Sequence, residues 1–143
     1  MLEPRILIVD DEERFVTTLS KRLTERKLDV VGVYSGKDAI EEVTNKLYDV
    51  VILDVKMPGL DGVETLREIK KINPGIEVIM LTGHASVDSA VEGMRLGAYE
   101  YLMKPCEIDE LMEKINGAYE LKKDRDERIR QAEIRRMVDQ RPA

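Results

Sequence analysis

A chain of 143 residues has the length of one domain, and 43% hydrophobic with 36% charged residues is the make-up of a soluble globular protein, not of a disordered or collagen-like chain. The net charge of −6, from 23 Lys or Arg against 29 Asp or Glu, has the wrong sign for a protein that coats nucleic acid, so direct DNA binding is not expected. A single cysteine, Cys106, and a single histidine, His84, exclude an internal disulfide and a zinc or iron-sulfur centre, and no nucleophile-elbow motif accompanies that histidine.

The longest apolar runs, such as Ile6-Leu7-Ile8-Val9 and Val78-Ile79-Met80-Leu81, have four members against the ~20 needed to span a bilayer. Met1-Leu2-Glu3-Pro4-Arg5 lacks the basic and apolar stretches of a secretion signal. The expectations are no membrane partner and a cytoplasmic location.

Short aliphatic runs alternate five times with longer amphipathic stretches, which predicts an α/β fold, a parallel sheet covered by helices. The first strand runs from Arg5 to Val9. A helix follows from about Glu12 to Arg26, with Phe15, Leu19 and Leu23 on one face. Asp29 to Tyr34 is the second strand, and Ser35 with Asp38 has the form of a capping box opening a helix that ends near Lys46. Val50 to Asp54 is the third strand. After the turn sequence Met57-Pro58-Gly59, Asp61 and Glu64 form another acidic box before a helix carrying Val63, Leu66 and Ile69, which Asn73-Pro74-Gly75 stops. Strand four spans Glu77 to Thr82, helix four about Val87 to Leu96 with Gly97 as terminator, and strand five Glu100 to Met103.

The final helix begins near Ile108 and carries an apolar stripe of Ile108, Leu111, Met112, Ile115, Ala118 and Tyr119. Lys122 to Arg128 is charged at every position, so docking on the body is expected to end near Leu121. This divides the chain into a domain over 1–121 and a charged helical extension or linker stub over 122–143. The stub holds eight Lys or Arg and five Asp or Glu, leaving −9 on the preceding residues. Asp124 to Arg128 and Asp126 to Arg130 spacings would support an exposed helix by ~0.2 to 0.5 kcal/mol each.

In open parallel sheets, ligands bind outside the carboxyl ends of the strands, where the strand order reverses. Strand one ends in Asp10-Asp11, strand three in Asp54 and strand four in Thr82, while strand five runs into Lys104. If the order is the doubly wound, flavodoxin-like 2-1-3-4-5, the three aspartates converge. Carboxylates so crowded repel one another, so either a pKa rises or a cation holds them together, and Mg²⁺, which favours oxygen ligands shared with a phosphate, suits such a set. Lys104 supplies positive charge for phosphoryl oxygens and the Thr82 hydroxyl a hydrogen bond.

The Asp10-Asp11 pair, the Asp54-Val55-Lys56-Met57-Pro58-Gly59 segment, the Leu81-Thr82-Gly83 edge and Lys104-Pro105 together resemble the receiver domain of two-component response regulators. The likeness covers residues 5 to about 121. The Thr82-Gly83-His84-Ala85 and Lys104-Pro105 stretches are most similar to receivers of sigma-54-dependent, NtrC-like regulators, which activate transcription through an ATPase domain not encoded here. The resemblance implies that Asp54 accepts a phosphoryl group from a sensor histidine kinase or phosphotransfer protein. It implies that Asp10, Asp11, Asp54 and the backbone carbonyl of Lys56 assemble a Mg²⁺ site. Lys104 and Thr82 would bind the phosphoryl group, Thr82 and Tyr101 would form the switch pair, and the Lys104–Pro105 bond would be cis. Lys56 and His84 would flank the pocket and tune phosphoryl loss. The helix 4, strand 5, helix 5 surface would change and control a partner, effector domain or homodimer. Such a module catalyses only its own phosphorylation and dephosphorylation. A few charge-assisted hydrogen bonds at ~1.5 to 3 kcal/mol each reach the ~5.5 kcal/mol needed to move a switch from 1:99 to 99:1.

Plainer roles compete. Taken singly, Asp11 reads as a helix cap, strand-end aspartates as turn formers, Tyr101 as core packing, His84 as a solvated side chain, Met94, Met103 and Met112 as core filler, and Cys106 as inert. Other functions compete as well. An aspartate-nucleophile phosphatase would carry a second acid two residues after Asp54, where Lys56 stands. A flavin carrier would need a phosphate-cradling loop where Asp10-Asp11 repels phosphate, and a silent adaptor would have lost the acids. The basic tail fits a solvated helix, a dimerising coiled coil or a stub before an effector.

Overall fold

A computed structural model describes residues 4–140; the expectations for residues 1–3 and for the end of the stub at 141–143 lie outside the described residues. Five parallel strands, β1 (Arg5–Val9), β2 (Asp29–Val33), β3 (Val50–Leu53), β4 (Glu77–Thr82) and β5 (Glu100–Met103), form one sheet in the order β2-β1-β3-β4-β5. Between and after them lie α1 (Glu13–Glu25), α2 (Gly36–Asn45), α3 (Gly62–Ile72), α4 (Val87–Arg95) and α5 (Ile108–Asp139). The α/β class predicted from the run pattern is the observed one, and so is the flavodoxin-like 2-1-3-4-5 order on which convergence of the strand-end acids depended.

The sheet is buried on both faces, which is why its inner strands are apolar without alternation: every residue of β3 and β4 is buried. Successive side chains still point to opposite faces. Ile6, Ile8, Ile52, Ile79 and Leu81 pack with α1 and α5 residues such as Leu19, Leu23, Leu111 and Ile115. Leu7, Val9, Val51, Leu53, Val78 and Met80 pack on the other side with Ala39, Val43, Leu66 and Ile69. Right-handed crossovers account for the split, because the chain moves outward from β1 to β2 and then reverses direction across the sheet.

The helix starts follow the local chemistry. Ser35 accepts from the Asp38 N–H at 3.1 Å, and Asp61 with Glu64 closes a full capping box. Gly97, at φ +99°, ends the turn after α4. Met112 packs on the core as expected, whereas Met94 and Met103 are 47% and 64% exposed. They lie on short α4 and edge strand β5, where no further element covers them among the described residues.

Helix α5 docks further than its sequence suggests. Lys122 Nζ lies 3.5 Å from Asp49, and Arg125 donates to buried Glu77 at 2.6 Å, so contact with the sheet runs one turn past Leu121. Neither expected acid-base pair of the tail forms. Asp126 bonds Lys122, Glu127 pairs with Arg130, and the Arg128 guanidinium reaches the Asp124 carbonyl instead of its carboxylate.

Candidate functional site

Register builds the site. Val9 pairs with Leu53 across neighbouring β1 and β3, so the next residue of each strand, Asp10 and Asp54, emerges side by side at the carboxyl edge. The Asp54 N–H donates to the Val9 carbonyl at 2.9 Å and the Asp10 N–H to the Val33 carbonyl at 3.2 Å, continuing the ladders by one bond. Both residues are buried, 1% and 3% exposed. Gly62, the first residue of α3, packs against the backbone behind Asp54: a Cβ there would lie 2.1 Å from the Asp54 carbonyl oxygen.

Asp10 Oδ1 accepts from the Glu12 N–H at 2.9 Å, and Oδ2 accepts from Lys104 Nζ at 2.7 Å. Asp54 Oδ1 accepts from the Val55 N–H at 2.8 Å. The Lys104 N–H donates to the Thr82 carbonyl at 2.8 Å, which places the lysine at the same edge from β5. Its ammonium also lies 3.3 Å from Glu12 Oε1 and 3.9 Å from the centre of the Phe15 ring. The bond from Lys104 to Pro105 is cis, as the family resemblance implies.

Burial raises the Asp10 pKa above its ordinary value, against the hydrogen bonds from Lys104 and the Glu12 N–H, and the nearby Asp54 charge adds to the rise. For Lys104, burial works against the ammonium, but the hydrogen bond and charge of Asp10, with Asp54 and Glu12, outweigh it and raise the pKa. Acid outnumbers base here, and one ammonium serves several carboxylates.

One oxygen each from Asp10, Glu12 and Asp54 lies within 4.8 Å of the others. Two ligands of an octahedral Mg²⁺ at ~2.1 Å stand at most ~4.2 Å apart, so after a small side-chain rotation or through an intervening water the Asp10 and Asp54 oxygens would fit such an ion, while the Glu12 carboxylate lies on Lys104. Asp11 is exposed and falls outside this cluster, and its caplike alternative does not hold either, since Glu12 is the N-cap of α1. Lys56 and His84 are exposed on loops, two residues after Asp54 and Thr82 respectively.

Thr82 is fully buried, and its Oγ1 accepts from the His84 N–H at 3.0 Å. Tyr101 is half-buried against the second core cluster, with its hydroxyl 2.7 Å from Ser89 Oγ on α4. Glu12, Phe15 and Ser89 were missed from sequence. Glu12 follows the acid pair directly, but only the turn into α1 folds it back over Lys104. Ser89 lies three residues after the Ser86 cap, which was its one legible signal.

The sequence model of the response regulator receiver domain matches residues 6–116. The transcriptional regulatory protein ZraR of Salmonella typhimurium is 42% identical over 113 residues, 79% of this chain and 26% of that protein. The luminescence regulatory protein LuxO of Vibrio campbellii is 36% identical over 111 residues, 78% of this chain and 24% of that one. The chain therefore spans about a quarter of the length of these curated relatives. Among solved structures, a receiver domain from Clostridium thermocellum superposes with a TM-score of 0.80 at 40% identity, covering 84% of this chain and 97% of the other. A CheY-like receiver from Methanospirillum hungatei gives 0.84 at 29% identity, covering 87% and 99%. Fold, edge acids and these matches agree: the chain belongs to the response regulator receiver domain family of two-component signalling.

Proposed function

We propose that this chain is a phosphorylation-dependent switch in which Asp54 accepts a phosphoryl group from a sensor histidine kinase or phosphotransfer protein. The observation that carries the reading is the burial of two adjacent carboxylates, Asp10 and Asp54, with the Lys104 ammonium on Asp10. Buried acids without matching cations are costly, and a fold retains them where chemistry uses them.

The Val55 N–H holds Asp54 Oδ1, which turns Oδ2 toward the incoming phosphorus. Oδ2 forms the new P–O bond as the leaving group departs with the electron pair of the old one. Asp10, Asp54, Asp11 and the Lys56 carbonyl are the proposed Mg²⁺ ligands. The ion supplies charge neutralisation for the phosphoryl oxygens. Lys104 then pairs with one of those oxygens. The Thr82 hydroxyl, which accepts from the His84 N–H, still has its own proton to donate to another. Movement of Thr82 opens space for the Tyr101 ring, which must leave Ser89, and that release carries the change to α4. Lys56 and His84 stand where they can tune attack by water on the phosphoryl group.

The exposed face of Val87, Val91, Met94 and Met103 on α4 and β5 is the proposed output surface, for an effector or a second copy. Control of transcription from the cytoplasm, through segments like those of ZraR and LuxO, is the proposed output. Residues 1–121 would be the receiver and 122–143 the connection. Sedimentation with and without beryllofluoride tests the homodimer; a monomer in both states removes it.

Incubation with acetyl phosphate and Mg²⁺ followed by intact mass tests the chemistry. One phosphoryl group adds to the protein, and none adds with EDTA or in Asp54→Asn. Undiminished labelling of Asp54→Asn contradicts the assignment.

A further inference from the structure

We propose that Glu12 is a positioning residue of the switch: its carboxylate occupies the Lys104 ammonium as a stand-in anion that a phosphoryl group on Asp54 must displace. The inference rests on Asp54 as the phosphoryl acceptor. An ammonium has three N–H donors, and each direction at Lys104 is taken. Asp10 Oδ2 lies at 2.7 Å, Glu12 Oε1 at 3.3 Å, and the Phe15 ring faces the nitrogen at 3.9 Å. A phosphoryl oxygen gains Lys104 only when one of the three withdraws.

Glu12 is the group that leaves at least cost. The Asp10 side chain is 2% exposed and has no water to return to, whereas that of Glu12 is 65% exposed. Glu12 is also the N-cap of α1 yet makes no side-chain cap hydrogen bond, so its carboxylate has no role at the helix start that departure would forfeit. The backbone N–H of the same residue stays on Asp10 Oδ1 and keeps the turn in place as the side chain swings out. The residue thereby sets how tightly the pocket holds a phosphoryl group without touching it.

The test is the affinity for beryllofluoride, a phosphoryl mimic that does not transfer, by calorimetry at saturating Mg²⁺. Mg²⁺ affinity is measured separately, together with the NMR signal of the Lys104 ammonium. An exposed ion pair of this kind predicts beryllofluoride binding roughly two- to five-fold tighter in Glu12→Gln. Glu12→Asp keeps the charge but is one methylene too short to reach Lys104, so it should behave like Glu12→Gln, and both should shift the ammonium signal. Unchanged affinity in Glu12→Gln overturns the proposal. So does Glu12→Asp matching wild type, which would indicate general repulsion instead of the contact. Loss of Mg²⁺ affinity with weaker beryllofluoride binding in Glu12→Gln would make Glu12 a metal ligand and also overturns it. If the wild type itself fails to bind beryllofluoride, the phosphoryl-acceptor reading fails with it.

Discussion

The two edges of the sheet treat their acids in opposite ways. At the amino edge the acids meet cations: Asp29 pairs with Arg5, Glu42 with Lys46 and Glu77 with Arg125, while Asp49 shares Lys122 with Asp126. There the Tyr48 hydroxyl also donates to Glu42, and its pKa is pushed up, chiefly by burial. At the carboxyl edge Asp10, Glu12 and Asp54 cluster, and among the described residues Lys104 is the cation that contacts the group, through Asp10 and Glu12. Strand β4 joins the edges, with paired Glu77 at one end and Thr82 at the other. The contrast teaches that a matched acid holds the fold together, whereas an excess of acid is where the proposed external cation would complete the structure.

The largest effect expected from this contrast is stabilisation by Mg²⁺. At about 100 times its dissociation constant, the ion should raise unfolding free energy by about 2.7 kcal/mol, read by denaturant melts. The same ion should leave the Glu77–Arg125 pairing untouched.

Breaking the matched edge comes next. Arg125→Ala leaves the Glu77 carboxylate buried without its partner and should cost about 1.5 kcal/mol. Hydrogen exchange should quicken in the helix from residue 122 onward. Gly62→Ala changes no charge but presses a methyl group into the Asp54 carbonyl, at a cost of about 1 to 3 kcal/mol. It should also slow labelling by acetyl phosphate, because the loop bearing Asp54 moves.

A subtler effect separates the edges by pH. Burial holds Asp10 above its ordinary 3.8, so the folded protein binds that proton more tightly than the unfolded chain. Its ionisation therefore costs stability as pH rises from the ordinary value through the raised one, and the cost persists at neutral pH. Metal-free Asp10→Asn should melt higher than wild type near neutrality, and the gain should vanish at low pH. Lys104 runs the other way: its raised pKa contributes stability throughout the neutral range, lost only as pH climbs past 10.5 and through the folded value. Smallest of all, Glu127→Ala in the exposed tail should change the melting midpoint by no more than the ~0.5 kcal/mol of a surface pair.

Legibility in sequence followed the same division. The placement of Asp10, Asp54, Thr82 and Lys104 at one edge was readable because each ends or directly follows a strand, and the carboxyl ends of parallel strands lie side by side whatever the side chains around them do. The strands themselves were readable because burial on both faces demands unbroken apolar runs. Glu12 was not, since its role depends on the rotation of one turn. Arg125 was hidden inside a run that looked wholly solvated, because its partner stands 48 residues away. The exposure of Met94 and Met103 was equally hidden, as a methionine at helical spacing carries no mark of whether another element covers it.

Calorimetric titration with Mg²⁺ tests the central claim most directly. The account predicts one ion per chain in wild type, affinity reduced about tenfold or more in Asp54→Asn, and unchanged affinity in Arg125→Ala. Equal binding by wild type and Asp54→Asn would contradict it.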